Sequence, residues 1–176
     1  NEIMTRQDYP SGKRSSYPIN GLEKFILAHE SKAIHYNSQF VFEFSGTINQ
    51  DSILSTTETW IREIPYIRSV IETSFLNPKR FVYEHAWFSA ASLFTFSNSL
   101  SQHEVDDFCH RQFQLSFEPA IRFLLQSEGE RHRLIFSCHH SLFDGAGQAY
   151  AFECWAKIYN GQPVPEEFRK LNPFRY

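Results

Sequence analysis

The chain has 176 residues, 41% of them hydrophobic, and a formal net charge of -3. That length suits one domain with a sizeable core. The balance of charge offers no basic surface for nucleic acid, and no apolar run approaches the length of a membrane span.

The first stretch, NEIMTRQDYPSGKRSSYP over residues 1–18, is polar and broken by Pro10, Gly12 and Pro18. It predicts an extended arm, neither a signal peptide nor a helix. From Asn20 to about Glu30, Leu22, Phe25, Ile26 and His29 recur at helical spacing and predict a short helix. Phe40, Phe42 and Phe44 then alternate with Val41 and Glu43, a strand closed by Gly46. Ile53, Leu54, Thr57, Trp60, Ile61 and Ile64 return to the helical period behind a cap at Asn49 or Asp51, and Pro65 ends that helix. Ile67 to Thr73 reads as a buried strand, and Phe81, Tyr83, His85 and Trp87 alternate in another. Ser101-Gln102-His103-Glu104 fits a capping box that opens a helix running to Phe113.

Two apolar strands follow, Ala120 to Gln126 and His132 to Cys138, joined by Ser127-Glu128-Gly129-Glu130 as a hairpin. The hairpin delivers His139-His140-Ser141-Leu142-Phe143-Asp144-Gly145 to a turn before a helix over Gly147–Tyr159. That helix is apolar on most of its circumference and stops at Asn160-Gly161. If the strand continues to the second histidine, alternation puts Leu134, Phe136, Cys138 and His140 on one side of it, with Ile135, Ser137 and His139 on the other. Only one of the two histidines can then face a given site. Asp144, four residues beyond His140, need not meet the imidazole and can hold the turn by pairing with a cation elsewhere, while Gly145 supplies backbone freedom for the reversal.

HHSLFDG resembles the HHxxxDG signature of the chloramphenicol acetyltransferase-like superfamily, whose members include the condensation domains of nonribosomal peptide synthetases and alcohol acyltransferases. Three further stretches are similar to the N-terminal half of a condensation domain. IPYIRSVI, Ile64 to Ile71, resembles "HPxLRxxF" with Ile64 and Ile71 departing from it. FQLSFEPAIRFLL, Phe113 to Leu125, resembles "FDLxxGPLLRxxL" with Gln114 and Glu118 departing, and IYNGQPVP is similar to the end of the helix after the motif. The resemblance implies an α/β lobe with a mixed sheet packed against helices, spanning residues 19–165, with residues 166–176 opening a linker to a second lobe.

The same resemblance implies roles. His140 would be the general base, taking a proton from an acceptor amine or hydroxyl as it attacks an acyl thioester, or else would orient the acceptor and stabilise the tetrahedral intermediate. Imidazole suits proton transfer because its unperturbed pKa of about 6.5 lies near working pH. His139 would be structural. Asp144 would pair with Arg68, at the arginine of the "LR" segment, and Arg122 is a weaker alternative partner. Gly145 and the neighbouring N–H groups could assist a developing oxyanion. The donor, a coenzyme A or phosphopantetheine-borne acyl thioester, would be a substrate, so no bound cofactor is expected. Partners would be the second lobe, from the same enzyme or another chain, an acyl carrier protein and a small-molecule acceptor. Two other readings are a silent condensation-like module that only docks a carrier protein, and a small trimeric acetyltransferase with its site between subunits.

Other chemistry fits less well. Cys138, His139, His140 and Asp144 have metal-ligand side chains, but neighbours on a strand diverge. His103, Asp107 and His110 share a helix face better read as solvated. Ser11-Gly12-Lys13 lacks the upstream glycine of a phosphate loop, and Ser141 lies outside a nucleophile elbow. Cys109, Cys138 and Cys154 form an odd, widely spaced set, read as reduced thiols in a cytoplasmic protein.

Overall fold

The strand that ends in the paired histidines lies inside a four-stranded mixed sheet. This computed structural model describes residues 10–31, 34–72 and 77–166. In chain order the elements are β1 (Arg14–Pro18), α1 (Gly21–His29), β2 (Asn37–Ser45), α2 (Gln50–Glu63), a 3₁₀ turn at Pro65–Ile67, β3 (Ser69–Glu72), β4 (Lys79–Tyr83), α3 (Ala90–Leu93), β5 (Phe94–Ser97), α4 (Gln102–His110), β6 (Ile121–Glu128), β7 (Arg131–His139) and α5 (Gly145–Tyr159). The larger sheet has the order β2-β7-β6-β5 and the smaller the order β1-β4-β3. β5 runs parallel to β6, while the other pairs are antiparallel. The expected α/β lobe, a mixed sheet packed against helices, is therefore observed.

The hairpin of β6 and β7 keeps its register from Ile121↔Cys138 to Glu128↔Arg131. Its turn is Gly129-Glu130, shorter than the four residues expected, and Gly129 takes a φ of 62° that suits glycine. On one face of the sheet, Phe123, Phe136, Leu134 and Cys138 join α2 and α5 in the main core. Two indole bonds lock those helices together: Trp60 Nε1 donates to the Ala151 carbonyl and Trp155 Nε1 to Thr57 Oγ1, each at 2.9 Å. Each such buried aromatic contributes on the order of 2–3 kcal/mol. The opposite face carries Ile135 and Leu124 against Val105 and Phe108 of α4. Alternation along β7 thus separates two clusters, as the pattern requires.

Several boundaries differ from the sequence reading. Residues 14–18 of the expected arm form β1 and pair with β4, whereas residues 1–9 and the expected linker beyond 166 lie outside the described residues. The strand expected over 67–73 is shorter because Pro65–Ile67 closes a 3₁₀ turn, and Thr73 also lies outside the described residues. β4 stops at Tyr83, leaving His85 and Trp87 beyond it, and α4 stops at His110. In α1 the buried positions are Glu23 and Ile26, while Leu22 and Phe25 stay more than half exposed. The helix turns a carboxylate inward because a buried arginine waits there. α5, apolar on most of its circumference, fully buries Gln148, Ala151, Cys154 and Trp155, and Tyr150, Phe152, Ala156 and Ile158 pack partly buried against the same core.

Candidate functional site

β7 ends at His139, and the turn begins with His140. Main-chain bonds pin it: His139 N–H to the Ala120 carbonyl at 2.9 Å, His140 N–H to Tyr36 at 2.8 Å, and Leu142 N–H back to His139 at 2.9 Å. His139 is fully buried. Its Nδ1 accepts from the Ser141 N–H at 3.1 Å and lies 2.7 Å from Ser141 Oγ, while Nε2 faces Glu30 Oε1 at 3.1 Å. A carboxylate and an amide N–H leave one tautomer, with the proton on Nε2. The ring also meets Phe113 edge-on. His140, by contrast, is half-buried, and among the described residues its ring makes no hydrogen bond.

Asp144 is exposed and caps α5, its Oδ1 accepting from the Gly147 N–H at 2.6 Å. It does not pair with Arg68. The Arg68 guanidinium lies at the C-terminus of α2, giving Nη1 bonds to the Ile61 carbonyl at 2.5 Å and the Arg62 carbonyl at 2.9 Å, and an Nε bond to the Tyr83 carbonyl at 3.2 Å. Orphan carbonyls at a helix end attract a cation, so Arg68 is consumed there. Burial alone lowers its pKa, with no carboxylate to offset it. Arg122 is not the partner either: it bonds the Arg111 carbonyl and stacks 4.0 Å over Phe113, and burial brings its pKa down to about 10.

The cation that grips the turn is Arg80 on β4. Its Nη2 reaches both the Ser141 carbonyl and, at 2.8 Å, Glu23 Oε1, while Nη1 bonds Ser69 Oγ at 2.8 Å. Tyr66 completes the nest, with its ring 4.4 Å from the guanidinium and its hydroxyl 3.2 Å from Glu23, and burial pushes its pKa up to about 12. Glu23 has a second duty, since its other oxygen accepts from the Asn20 N–H in a capping box. Asn20-x-x-Glu23 was a visible capping signal in the sequence. Lys79-Arg80 before an apolar run reads like any solvated strand end, and nothing marked Arg80 as buried.

Gly145 also departs from expectation. Its φ is not positive, and a Cβ there would meet nothing within 4 Å, so the reversal does not need a glycine at that position. Gly147 is the constrained one: a Cβ would stand 3.0 Å from Asp144 Oδ1 and 3.4 Å from Phe143 Cβ. Gln148 adds a further brace, its Nε2 bonding the Phe143 carbonyl at 3.1 Å and its Oε1 accepting from Ser38. Burial pushes the Cys138 thiol far up, which keeps it protonated. His103 and Asp107 stand 3.2 Å apart on the exposed face of α4, but His110 turns instead to the Asp106 carbonyl at 2.7 Å. Among the described residues no three His, Cys, Asp or Glu side chains are arranged to hold a metal ion. No described helix is long and apolar enough to cross a membrane.

A family model described as Condensation domain matches residues 24–174. The chain is 27% identical over 161 residues to gramicidin S synthase 2 of Brevibacillus brevis and 22% identical over 164 residues to tyrocidine synthase 2 of Brevibacillus parabrevis. Each match takes in 89% of this chain but 4% of the relative's length. Among solved structures, the tallysomycin biosynthesis protein TlmII superposes with a TM-score of 0.68 at 13% identity, over 92% of this chain and 44% of that one. The condensation domain from the monacolin K polyketide synthase MokA gives 0.67 at 11% identity, over 86% and 36%. Likeness at such low identity speaks for the fold.

Proposed function

This chain belongs to the condensation-domain family, and on that premise we propose that it serves acyl transfer from a thioester to an amine or hydroxyl acceptor, with His140 as the base. The observation that carries this reading is a contrast within one turn. His139, Ser141 and Asp144 are each committed to neighbours, whereas the half-buried His140 ring has no hydrogen-bond partner among the described residues. A side chain held by a braced backbone yet left free at its tip suits a group that must meet a substrate.

In this reading His140 accepts the acceptor's N–H or O–H proton as the nucleophile attacks the thioester carbonyl. The tetrahedral intermediate then expels the thiolate, breaking the C–S bond, and the proton passes to sulfur. The Asp144 cap uses the Gly147 N–H and leaves the exposed backbone of Gly145 and Ala146 at the start of α5 to assist the oxyanion. The donor is a coenzyme A or phosphopantetheine thioester presented as substrate, the latter on an acyl carrier protein. A second lobe, supplied by the same polypeptide or another chain, forms the rest of the site. In support, the chain spans less than half of the solved chains it resembles, and Val41, Phe44 and Phe96 remain exposed on the larger sheet.

The test measures amide formation from an aminoacyl-phosphopantetheine thioester by the full-length protein carrying this chain. His140→Ala should abolish turnover while leaving the amount of folded protein unchanged. Undiminished turnover in that variant would refute the base, and unchanged carrier binding without turnover in the parent would favour a docking module.

A further inference from the structure

α1 and the residue that caps its C-terminus send two carboxylates to the turn. Glu23 is buried inside the helix, and Glu30, seven residues on, is the C-cap with its side chain largely covered. Glu23 acts through Arg80 on the Ser141 carbonyl, and Glu30 meets His139 directly, with its side chain 11% exposed and that of His139 not exposed at all. We propose that Glu30 is a positioning residue for His140, acting through His139, an inference that rests on the acyl-transfer reading above.

The argument is one of donors and acceptors. Glu30 can only accept, so His139 Nε2 must carry the ring proton; Nδ1 is then a bare lone pair and can take the Ser141 N–H at 3.1 Å. That bond closes a small loop around His140, whose own N–H is held by Tyr36. Without Glu30 the Nε2–H would be buried without an acceptor, and in the alternative tautomer Nδ1–H would turn to Ser141 Oγ, 2.7 Å away, and give up the bond from the Ser141 N–H. Trading the main-chain bond for a hydroxyl one would shift Ser141, and His140 sits between the two residues in the chain. Glu30 thus selects the tautomer, the tautomer fixes the turn, and the turn aims His140. A misplacement of about 1 Å at a reacting group costs on the order of a hundredfold in rate.

Glu30→Gln retains an acceptor oxygen, whereas Glu30→Leu has none. The tautomer is read by nitrogen-15 NMR of the histidine-labelled chain, and transfer by kcat and KM of the full-length protein with an aminoacyl-phosphopantetheine thioester, corrected for the folded fraction. The expected result is a single Nε2–H signal for His139 in the parent and Glu30→Gln, with kcat within about threefold, and a mixed or switched tautomer in Glu30→Leu, with kcat down about tenfold or more and KM within about twofold. If Glu30→Leu does not fold, Glu30→Asp, one methylene short, takes its place. A Leu or Asp variant that keeps the parent tautomer and kcat overturns the proposal, as does an equal loss in Glu30→Gln. His140→Ala is the control: if it transfers normally, the acyl-transfer reading fails, while the tautomer signals alone still decide whether Glu30 sets the turn.

Discussion

Arg80 Nη2 and Glu23 Oε1 meet at 2.8 Å with side chains only 2% and 9% exposed, and the same guanidinium grips the carbonyl of Ser141. An ion pair so far from water draws its value from being complete. Removing one partner leaves a charge without compensation and typically costs about 3–5 kcal/mol, more than an exposed pair could contribute. Glu23→Leu and Arg80→Met should each destabilise the chain by about that amount in urea denaturation, and the double variant should recover part of the loss. Additive losses would mean that the two side chains are not coupled.

The two histidines should separate stability from turnover. His139→Ala deletes contacts to Glu30 Oε1, Ser141 Oγ and the Ser141 N–H inside a closed environment. It should cost about 2–4 kcal/mol, since the buried donor and acceptors it leaves behind are unsatisfied. His140→Ala removes no hydrogen bond of the described residues and should change stability by less than about 1 kcal/mol while abolishing acyl transfer. Thermal melts set beside thioester turnover check both halves of this expectation.

Much of the fold was legible because it rests on local patterns. The alternation through β6 and β7, the caps at Asn49 and Ser101 and the stop at Pro65 all act within a few residues, and each lies where the sequence puts it. The turn was legible too, as a motif, but its bracing was not. Asp144 and Arg68 have opposite charges and the resemblance joins them, yet each satisfies backbone groups close by, Asp144 the Gly147 N–H and Arg68 the carbonyls of Ile61 and Arg62. The long-range braces come from Glu23, Glu30 and Arg80, which are 109 residues away in the case of Glu30 and His139. No periodicity encodes such a meeting. A charged residue facing inward looks in sequence like one facing water.

Acid should loosen α4 from the sheet. Hydrogen bonds from Ser97 and Gln126 hold the Glu104 carboxyl below its ordinary value of 4.5, and Gln126 Nε2 reaches Glu104 Oε2 at 2.9 Å. A folded-state pKa lower than the unfolded one adds stability that is present above the unfolded value and lost as pH falls through the folded value. Glu104→Gln should therefore melt below the parent at neutral pH, and the gap should narrow below pH 4.5. Melting curves at neutral pH and at about pH 3.5 test this, and a gap that stays constant would place the contribution elsewhere.

The last prediction concerns the start of α5. Asp144 is an N-cap, and losing such a cap costs about 1 kcal/mol. Arg68 satisfies carbonyls at the end of a different helix and should cost more on removal, because the Ile61 carbonyl is buried with it. Since the two side chains share no partner, Asp144→Ala and Arg68→Met should add within about 0.5 kcal/mol in a double-mutant cycle, whereas a paired aspartate and arginine would fall short of additivity by more. The glycines beside the cap should differ in the same way. A methyl group at Gly145 meets open space, so Gly145→Ala should stabilise the helix start by up to about 1 kcal/mol. At Gly147 the new Cβ would stand 3.0 Å from the capping oxygen, and Gly147→Ala should lose that gain or destabilise by displacing Asp144. If both glycines respond alike in chemical denaturation, the cap is not what constrains this turn.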